Sequence, residues 1–167
     1  MNQYIRYKEK LANIKMLALD VDGVLTTGEL IYNKNGEYLK QFNVKDGLGI
    51  KLLLQKGIVI AIITARKSEI VDYRMKELGI RFVYQGIEDK ISLLDNLTSQ
   101  FMIDWDSIAY IGDDLTDLPV LKKVGFAACP ADAVDNVISE CTYITKREGG
   151  KGAVREIADM ILAAQNT

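Results

Sequence analysis

The sequence predicts an α/β fold, built on a doubly wound, Rossmann-like parallel sheet with a projecting β-hairpin. Three apolar runs are typical of buried parallel strands, and each ends at polar residues: 16–19, 58–63 and 108–111. Helical patterns alternate with these runs at residues 47–55, 68–78, 90–101, 117–123 and 152–164, with Ser68 as a helix N-cap. Because strands that alternate with helices form parallel sheets covered by helices, this order indicates the α/β class.

Shorter strands are predicted at residues 82–84, 126–128 and 143–145. The segment at about 28–44, GELIYNKNGEYLKQFNV, interrupts the alternation with two β-rich arms around Asn35 and Gly36, a dipeptide typical of hairpin turns. It therefore predicts the projecting hairpin. The chain has no internal repeat and no Pro/Gly-rich linker, so we expect residues 1–167 to form one domain.

Composition and charge exclude several classes of function. Apolar residues make up 49% and charged residues 26% of the 167, as in ordinary globular domains, and the net charge of −2 offers no basic surface to a nucleic acid or a membrane. Cys129 and Cys141 form no CxxC pair, the N-terminal residues contain no signal-peptide core, and no apolar run is long enough to cross a bilayer. We therefore expect a cytoplasmic location. The absence of histidine excludes Ser/His/Asp triads and imidazole metal sites.

Polar residues follow the three main strands, at the sheet edge where open α/β folds bind ligands. They are Asp20 and Asp22; then Thr64, Ala65 and Arg66; then Gly112, Asp113, Asp114 and Asp117. Carboxylates this crowded require a cation to stay ionised, and oxygen ligands alone point to Mg²⁺, which leaves room for a substrate phosphate. The sequence thus predicts a Mg²⁺ site with Asp20, Asp22 and Asp113 as ligands. Asp114 and Asp117 are predicted to orient that site or to cap the next helix.

A Mg²⁺ site with room for a phosphate suggests phosphoryl transfer, and each residue type at the site has a possible role in that reaction. Asp20 can attack phosphorus to form an aspartyl phosphate, while Asp22 protonates the leaving oxygen and later activates water. Gly23 lets the backbone approach the phosphate. The Thr64 hydroxyl can donate to the transferring group, and Lys90, at the start of a helix, can neutralise charge on the phosphate and the nucleophile. Each residue also has a purely structural reading, such as a turn, a cap or a solvated cation.

The motifs that carry these residues resemble a known superfamily. LALDVDGVLT at 17–26, IITAR at 62–66, the lysine at 90 and YIGDDLTDLP at 110–119 are similar, in order, to the four motifs of the haloacid dehalogenase-like superfamily. Most members of that superfamily are Mg²⁺-dependent phosphatases, so the resemblance implies a phosphomonoesterase.

A narrower resemblance extends over nearly the whole chain. FNVKDGLGIK at 42–51, TARKSEIVDYRMKELGI at 64–80, YQG at 84–86 and KREGGKGAVREI at 146–157 are similar to the 3-deoxy-D-manno-octulosonate (KDO) 8-phosphate phosphatases. Those enzymes release phosphate from a sugar-acid precursor of lipopolysaccharide. A sister group acts on nine-carbon, sialic-acid-type 9-phosphates, which is the alternative substrate class.

The resemblance also implies a homotetramer, with the hairpins associating centrally and a neighbour's C-terminal tail, about residues 146–167, completing each site. The spacing of the motifs supports part of this, because the intervals between them leave no room for a cap domain. A site that must control water would then need closure from a partner subunit. The hairpin arms, rich in Leu, Ile, Tyr and Phe, would otherwise expose an apolar face.

Substrate contacts are predicted beside the second motif. Arg66 is placed to meet the carboxylate of a sugar acid, because a guanidinium pairs with a carboxylate through two hydrogen bonds, and Arg74 is a further candidate. Gly23 and Ala65 would line the phosphate. Ala65 stands where the sugar-acid phosphatases usually have glycine, Thr27 replaces a common aspartate, and Lys151 replaces a common arginine in the tail.

Two other classes of function remain open from the sequence. Phospho-accepting receiver domains also place acidic residues, a threonine and a lysine on a parallel sheet, but they carry their phospho-acceptor aspartate in mid-chain. Here the second long strand ends in Thr64, and the late GDDLTD supplies the other carboxylates. The second alternative, a catalytically silent scaffold subunit, is disfavoured by the complete set of motifs.

Overall fold

A six-stranded parallel sheet forms the centre of the protein. The computed structural model describes residues 3–166, with side chains from Tyr7 onward. The strands of the sheet are β1 (Met16–Leu19), β4 (Val59–Thr64), β5 (Phe82–Gln85), β6 (Ile108–Ile111), β7 (Phe126–Cys129) and β8 (Tyr143–Ile144). Their order is β5-β4-β1-β6-β7-β8, and all neighbours are parallel. This is the strand order of a Rossmann-like, doubly wound fold, so the predicted fold class is confirmed.

Seven helices are described, and the long ones cover both faces of the sheet. They are α1 (Gln3–Ala12), α2 (Val44–Gln55), α3 (Glu69–Leu78), α4 (Lys90–Phe101), α5 (Leu118–Leu121), α6 (Asp135–Ile138) and α7 (Ala153–Gln165). One apolar core joins the sheet to α2, α3 and α7, and a second joins its other face to α4, α5 and α6. Strand residues alternate between the two cores, as the pleat requires: Leu17 and Leu19 lie in the first, Met16 and Ala18 in the second.

The predicted elements lie close to the observed ones where apolar patterns are long. The strands at 16–19 and 108–111 and the helix at 90–101 have the predicted bounds. Helix α2 begins three residues before the predicted start, because the Asn43 side chain accepts a hydrogen bond from the Lys45 N–H and caps it. The predicted helix at 117–123 is instead a 3-10 turn, Leu115–Asp117, followed by the short α5. Helices α1 and α6 were not predicted.

A two-stranded antiparallel ribbon occupies the segment in which the sequence predicts a hairpin. It consists of β2 (Ile31–Asn33) and β3 (Gly36–Leu39), which lie outside the main sheet. Exposed apolar side chains line it: Leu30, Ile31, Tyr32, Tyr38 and Leu39, with exposed fractions between 37% and 64%. Within residues 3–166, no helix has both the length and the apolarity that crossing a bilayer would take.

Candidate active site

The fold brings the predicted site residues to one edge of the sheet. Strand β1 lies between β4 and β6, so the residues that follow these three strands are neighbours. Asp20 comes directly after β1, Thr64 is the last residue of β4, and Asp113 follows β6 by two residues. Asp20 and Thr64 are buried, with 8% and 3% exposure. The carboxyl ends of the central strands therefore form the candidate active site.

Three carboxylates form an acidic cluster at this edge: Asp20, Asp113 and Asp117. Each offers one oxygen, and these three oxygens lie within 4.8 Å of one another. Burial and the neighbouring carboxylates, Asp20 first, raise the pKa of Asp113 to about 8. Burial and the Asp117 carboxylate likewise raise the pKa of Asp20. A divalent cation would relieve this repulsion, and a set of hard carboxylate oxygens fits Mg²⁺.

The composition of the cluster differs from the predicted ligand set at two positions. Asp117 is fully buried and contributes a carboxylate oxygen to the cluster, and its Oδ2 also accepts from the Asp113 and Asp114 N–H groups, which is the orienting and capping role predicted for it. The Asp22 carboxylate is not part of this cluster and pairs with the cations Lys40 and Arg66, so its role as a metal ligand stays a prediction. Asp114 is exposed and accepts from the Leu115 N–H at 2.7 Å, so it acts as the cap of the 3-10 turn.

Lys90 is the buried cation of the acidic cluster. Its ammonium group donates to Asp20 Oδ2 at 2.8 Å and to Asp117 Oδ1 at 2.7 Å, and its side chain is 2% exposed. Burial acts to lower the pKa of Lys90, but the two carboxylates outweigh it and raise the pKa. Lys90 reaches this position because Asp89 caps the first turn of α4, through the Ser92 N–H at 3.0 Å. One lysine thus faces three carboxylates.

Tyr110 joins the same cluster and was missed by sequence reasoning. It is fully buried in β6, and its hydroxyl donates to Asp117 Oδ1 at 2.5 Å while accepting from Lys90 at 3.2 Å. Burial and the Asp117 carboxylate raise the pKa of Tyr110 well above its ordinary value, so it stays protonated as a donor. The signal was present in the apolar run IAYI, since a buried tyrosine hydroxyl requires a partner.

The loop after β1, residues 20–27, is held by its own hydrogen bonds. The Val21 N–H donates to Asp20 Oδ1 at 2.6 Å, and Thr26 Oγ1 accepts from Gly28 N–H at 3.2 Å. Gly23 has a φ of +85°, and a Cβ there would collide with the Asp113 carboxylate. Glycine is therefore required at position 23 both by the backbone conformation and by the close approach of the acidic cluster.

The glycines of the C-terminal tail pack against this same loop in the same chain. The Gly150 N–H donates to the Val24 carbonyl at 3.0 Å, and a Cβ at Gly149 would overlap the Gly23 carbonyl oxygen. Helix α7 then packs on α2, where the buried Asp46 accepts from the Arg155 N–H at 2.7 Å. Residues 146–166 therefore contact the loop after β1 in their own chain, and the expected contribution of this tail to a neighbour's site stays a prediction. Residue 167 lies outside the described part.

A second group, the hairpin network, holds Asp22. It comprises Asp22, Glu37, Lys40 and Arg66. Lys40 pairs with Asp22 and, at 3.2 Å, with Glu37; Arg66 lies 3.5 Å from Asp22 and 3.6 Å from Glu37. Arg66 also donates to the Tyr32 hydroxyl at 2.7 Å. Glu37 and Lys40 were missed by sequence reasoning, although two charges three residues apart in an otherwise apolar arm were a signal.

The remaining predicted substrate residues lie in two places. Ala65 is exposed beside the half-buried Arg66, at the rim of the site. Arg74 does not join the site: it pairs with Glu77 at 2.7 Å, and its guanidinium lies 5.9 Å from the centre of the Phe42 ring. The Arg74 side chain packs between α2 and α3, away from the acidic cluster, so its substrate contact stays a prediction without support from this geometry.

Comparison with known proteins identifies the family. A family model of haloacid dehalogenase-like hydrolases matches residues 82–157. The chain is 46% identical over 156 residues to 3-deoxy-D-manno-octulosonate 8-phosphate phosphatase of Escherichia coli K12, covering 93% of this chain and 83% of the relative. The crystal structure of the Yersinia pestis enzyme of that name superimposes with a TM-score of 0.93 at 42% identity, covering 95% of this chain and 86% of the other.

A further crystal structure holds the ligands that the acidic cluster suggests. It is the KDO 8-phosphate phosphatase of Moraxella catarrhalis in complex with magnesium ion, phosphate ion and KDO, with a TM-score of 0.93, 45% identity, and coverage of 99% of this chain and 94% of that one. Together with the buried carboxylates, it confirms the predicted Mg²⁺ cofactor. The chain belongs to the haloacid dehalogenase-like hydrolases, within the group formed by the KDO 8-phosphate phosphatases, and is a phosphomonoesterase.

Proposed function

We propose that this enzyme hydrolyses KDO 8-phosphate to KDO and phosphate, through an aspartyl phosphate and with Mg²⁺, in lipopolysaccharide precursor synthesis. The observation that carries the proposal is the match over 99% of the chain to the M. catarrhalis enzyme that binds magnesium, phosphate and KDO. The acidic cluster and the positions of Thr64 and Lys90 at the same sheet edge support the chemistry. The nine-carbon sugar-acid phosphates remain the competing substrate class.

The acidic cluster would bind the metal ion and also supply the nucleophile. Asp20, Asp113 and Asp117 offer the oxygens that would hold Mg²⁺. When bound, the ion supplies positive charge to the phosphate and to the attacking carboxylate. Asp20 attacks phosphorus, because it is the first residue after the central strand and is held in place by the Val21 N–H and by Lys90. Lys90 lowers the repulsion between this carboxylate and the phosphate.

The other residues manage the proton and the substrate. Asp22 protonates the leaving sugar oxygen and then takes a proton from the water that hydrolyses the aspartyl phosphate. The Thr64 hydroxyl and the N–H groups of the loop at Gly23 donate to the phosphate oxygens. Arg66, with a side chain 40% exposed, is available to meet the carboxylate of the sugar acid.

A substrate screen tests the proposal. The values of kcat/KM are measured for KDO 8-phosphate, a nine-carbon keto-acid 9-phosphate and a hexose 6-phosphate, with and without Mg²⁺. KDO 8-phosphate should exceed the nine-carbon ester by about tenfold and the hexose ester by about 100-fold or more, since lost polar contacts to a sugar are costly. The Asp20→Asn variant, purified in parallel, controls for contaminating phosphatases. Equal values would make this a general phosphatase, and a preference for nine carbons would reassign the substrate.

We further propose that residues 1–167 form one domain that assembles as a cytoplasmic homotetramer, with the hairpins of neighbouring subunits closing the sites. The exposed apolar side chains of the hairpin support this, because a chain without a cap domain needs cover from elsewhere. Both cysteines are free thiols, which suits a reducing compartment.

Light scattering coupled to gel filtration tests the assembly. Tyr38 is 64% exposed on the hairpin, and Tyr73 is 77% exposed on α3. Tyr38→Lys should convert the tetramer to smaller species, whereas the matched Tyr73→Lys should leave it intact. A monomeric wild type with full activity would overturn the proposal.

A further inference from the structure

Lys40 is a buried cation in the hairpin network, and it pairs with Asp22 of the loop after β1, whereas Lys90 pairs with Asp20. Lys40 follows the last residue of β3, its side chain is 2% exposed, and its ammonium pairs with Asp22 and Glu37. Both partners are themselves largely covered, with exposed side-chain fractions of 19% and 16%. The base of the hairpin is therefore tied to the catalytic loop by a buried ion pair.

Burying this ion pair costs desolvation free energy, which indicates that the pair has a role other than stabilising the fold. Removing an ammonium ion from water is unfavourable, and an apolar side chain of the same size often stabilises a fold as well or better. Glu37 alone, three residues away on the same arm, could have paired with Lys40 in solvent at little cost. Instead the amine is directed inward, onto the loop that carries Asp20 and Asp22.

The two cations of the network fix the orientation of the Asp22 carboxylate. Lys40 donates a hydrogen bond to Oδ1, whereas Arg66 Nε lies 3.5 Å from Oδ2 at ion-pair distance without a hydrogen bond. The two cations differ in mobility: the Arg66 side chain is 40% exposed and able to turn toward a substrate, while Lys40 is enclosed. Glu37 in turn is held by the Ser68 hydroxyl at the start of α3. Lys40 is thus the fixed member of the pair.

We propose that Lys40 is a positioning residue for catalysis: from the base of the hairpin it holds the Asp22 side chain in the orientation from which its protonated form gives a proton to the leaving oxygen and the resulting carboxylate then takes one from the water that hydrolyses the aspartyl phosphate. This inference rests on the proposed role of Asp22 as the acid and base. Because Glu37 and Lys40 belong to the hairpin, its placement sets the alignment of Asp22. A displacement of about 1 Å at such a group is enough to cost about 100-fold in rate.

The inference predicts a loss that depends on the leaving group. Single-turnover release of the leaving group separates formation of the aspartyl phosphate from its hydrolysis. Lys40→Met should slow release from KDO 8-phosphate by about 10- to 100-fold, with KM within about threefold. Release from p-nitrophenyl phosphate, whose leaving group needs no proton, should fall by less than about threefold. Lys40→Arg should recover most of the loss, and Lys34→Met, an exposed lysine of the same hairpin, should match wild type.

The Asp22→Asn background separates this inference from the proposed function. Asp22→Asn should itself slow release from the sugar ester far more than from the aryl ester, and adding Lys40→Met should then slow it no further. If Asp22→Asn slows both esters equally, the role of Asp22 fails. If Asp22→Asn behaves as expected but Lys40→Met slows both esters equally, or adds its full effect in the double variant, Lys40 is merely structural and the inference is overturned.

A stability control keeps the test decisive. Thermal unfolding and gel filtration show whether Lys40→Met retains the wild-type fold and assembly. Should it fail to fold, Glu37→Gln carries the same test, since it removes the carboxylate that holds Lys40 from the hairpin side. Glu37→Gln should show the same leaving-group dependence at about three- to tenfold, and a uniform loss on both esters would contradict the inference.

Discussion

The two sides of the site differ in how their charges are balanced. In the acidic cluster, Asp20, Asp113 and Asp117 face the single cation Lys90. In the hairpin network, two carboxylates face two cations, Lys40 and Arg66. The acidic cluster has more negative than positive charge, so it suits a divalent cation, which can in turn bind a phosphate. The hairpin network is balanced without any ligand, so it can hold a proton donor in place.

This difference teaches that neighbours in sequence can belong to separate electrostatic environments. Asp20 and Asp22 are two residues apart in the same loop, yet one lies with the metal ligands and the other with the hairpin. In the proposed mechanism these identical side chains have different roles, Asp20 as the nucleophile and Asp22 as the acid and base. The predictions below perturb one side at a time.

Asp20→Asn should have the largest effect. Losing the proposed nucleophile should lower kcat by about four orders of magnitude or more, because an asparagine amide cannot form the aspartyl phosphate. The variant should stay folded, since it removes one negative charge from a crowded cluster. Steady-state kinetics with circular dichroism checks both points, and near-wild-type turnover would refute the assignment.

Asp113→Asn should remove most of the stabilisation that Mg²⁺ binding gives the folded protein. At a Mg²⁺ concentration 100 times its Kd, the wild type gains about 2.7 kcal/mol, which for a chain of this size raises Tm by about 5 to 11 °C. The variant should lose most of this shift. Without Mg²⁺ the order should reverse: above its ordinary pKa of 3.8 the unfolded carboxyl ionises, while folded Asp113 keeps its proton up to about pH 8, so the wild type loses stability relative to asparagine from about pH 4 to about pH 8 and no further above that.

Differential scanning fluorimetry at several pH values measures this effect. Asp104→Asn, an exposed residue that precedes β6 at the opposite end of the strand from Asp113, is a control that should behave as wild type in both conditions. A Mg²⁺-dependent shift in Asp113→Asn as large as in wild type would exclude Asp113 as a ligand.

Mg²⁺ binding should release a proton. With a pKa of about 8 in the metal-free protein, Asp113 is mostly protonated at pH 7, and the metal must displace that proton. Calorimetry in buffers of different ionisation enthalpy should detect about one proton released at pH 7 and almost none at pH 9.5. The affinity should fall about tenfold per pH unit below pH 8. Constant affinity between pH 6 and pH 8 would contradict the charge imbalance.

Tyr110→Phe should have the smallest effect. It removes the hydroxyl that donates to Asp117 and leaves Lys90 in place, so kcat should fall by about three- to tenfold with KM unchanged. Tyr143→Phe is the matched control, because that hydroxyl donates to Glu156 at 2.7 Å away from the site. Both variants should lose about 1 to 3 kcal/mol of unfolding free energy, and only Tyr110→Phe should lose activity. Equal activity in the Tyr110→Phe and Tyr143→Phe variants would show that the Tyr110 hydroxyl does not contribute to catalysis.

The ends of the strands were predictable from the sequence. The sheet edge at which the site residues come together was therefore predictable as well. Apolar runs that stop at polar residues located Asp20, Thr64 and Asp113, and parallel strands necessarily bring such ends to one edge. The helix at 90–101 was predictable from its apolar period, which placed Lys90 at its first turn.

Side-chain direction within loops was not predictable. Whether Asp22 or Asp117 turns toward Asp113 depends on where Lys40 and Lys90 lie, and these lysines come from elements distant in sequence. The position of the tail was also missed, because the contact of Gly149 with Gly23 joins residues more than a hundred positions apart. Local patterns carry no information on such pairings.

The division of labour between Asp20 and Asp22 is tested most directly by trapping the aspartyl phosphate. Asp22→Asn is mixed with p-nitrophenyl phosphate and Mg²⁺, quenched in acid and digested, and the masses of the peptides are measured by mass spectrometry. Because asparagine cannot activate water, the peptide containing Asp20 should carry the mass of one phosphoryl group at near-stoichiometric occupancy, and the Asp20→Asn, Asp22→Asn double variant should carry none. Rapid release of p-nitrophenol without a phosphorylated peptide would contradict the account.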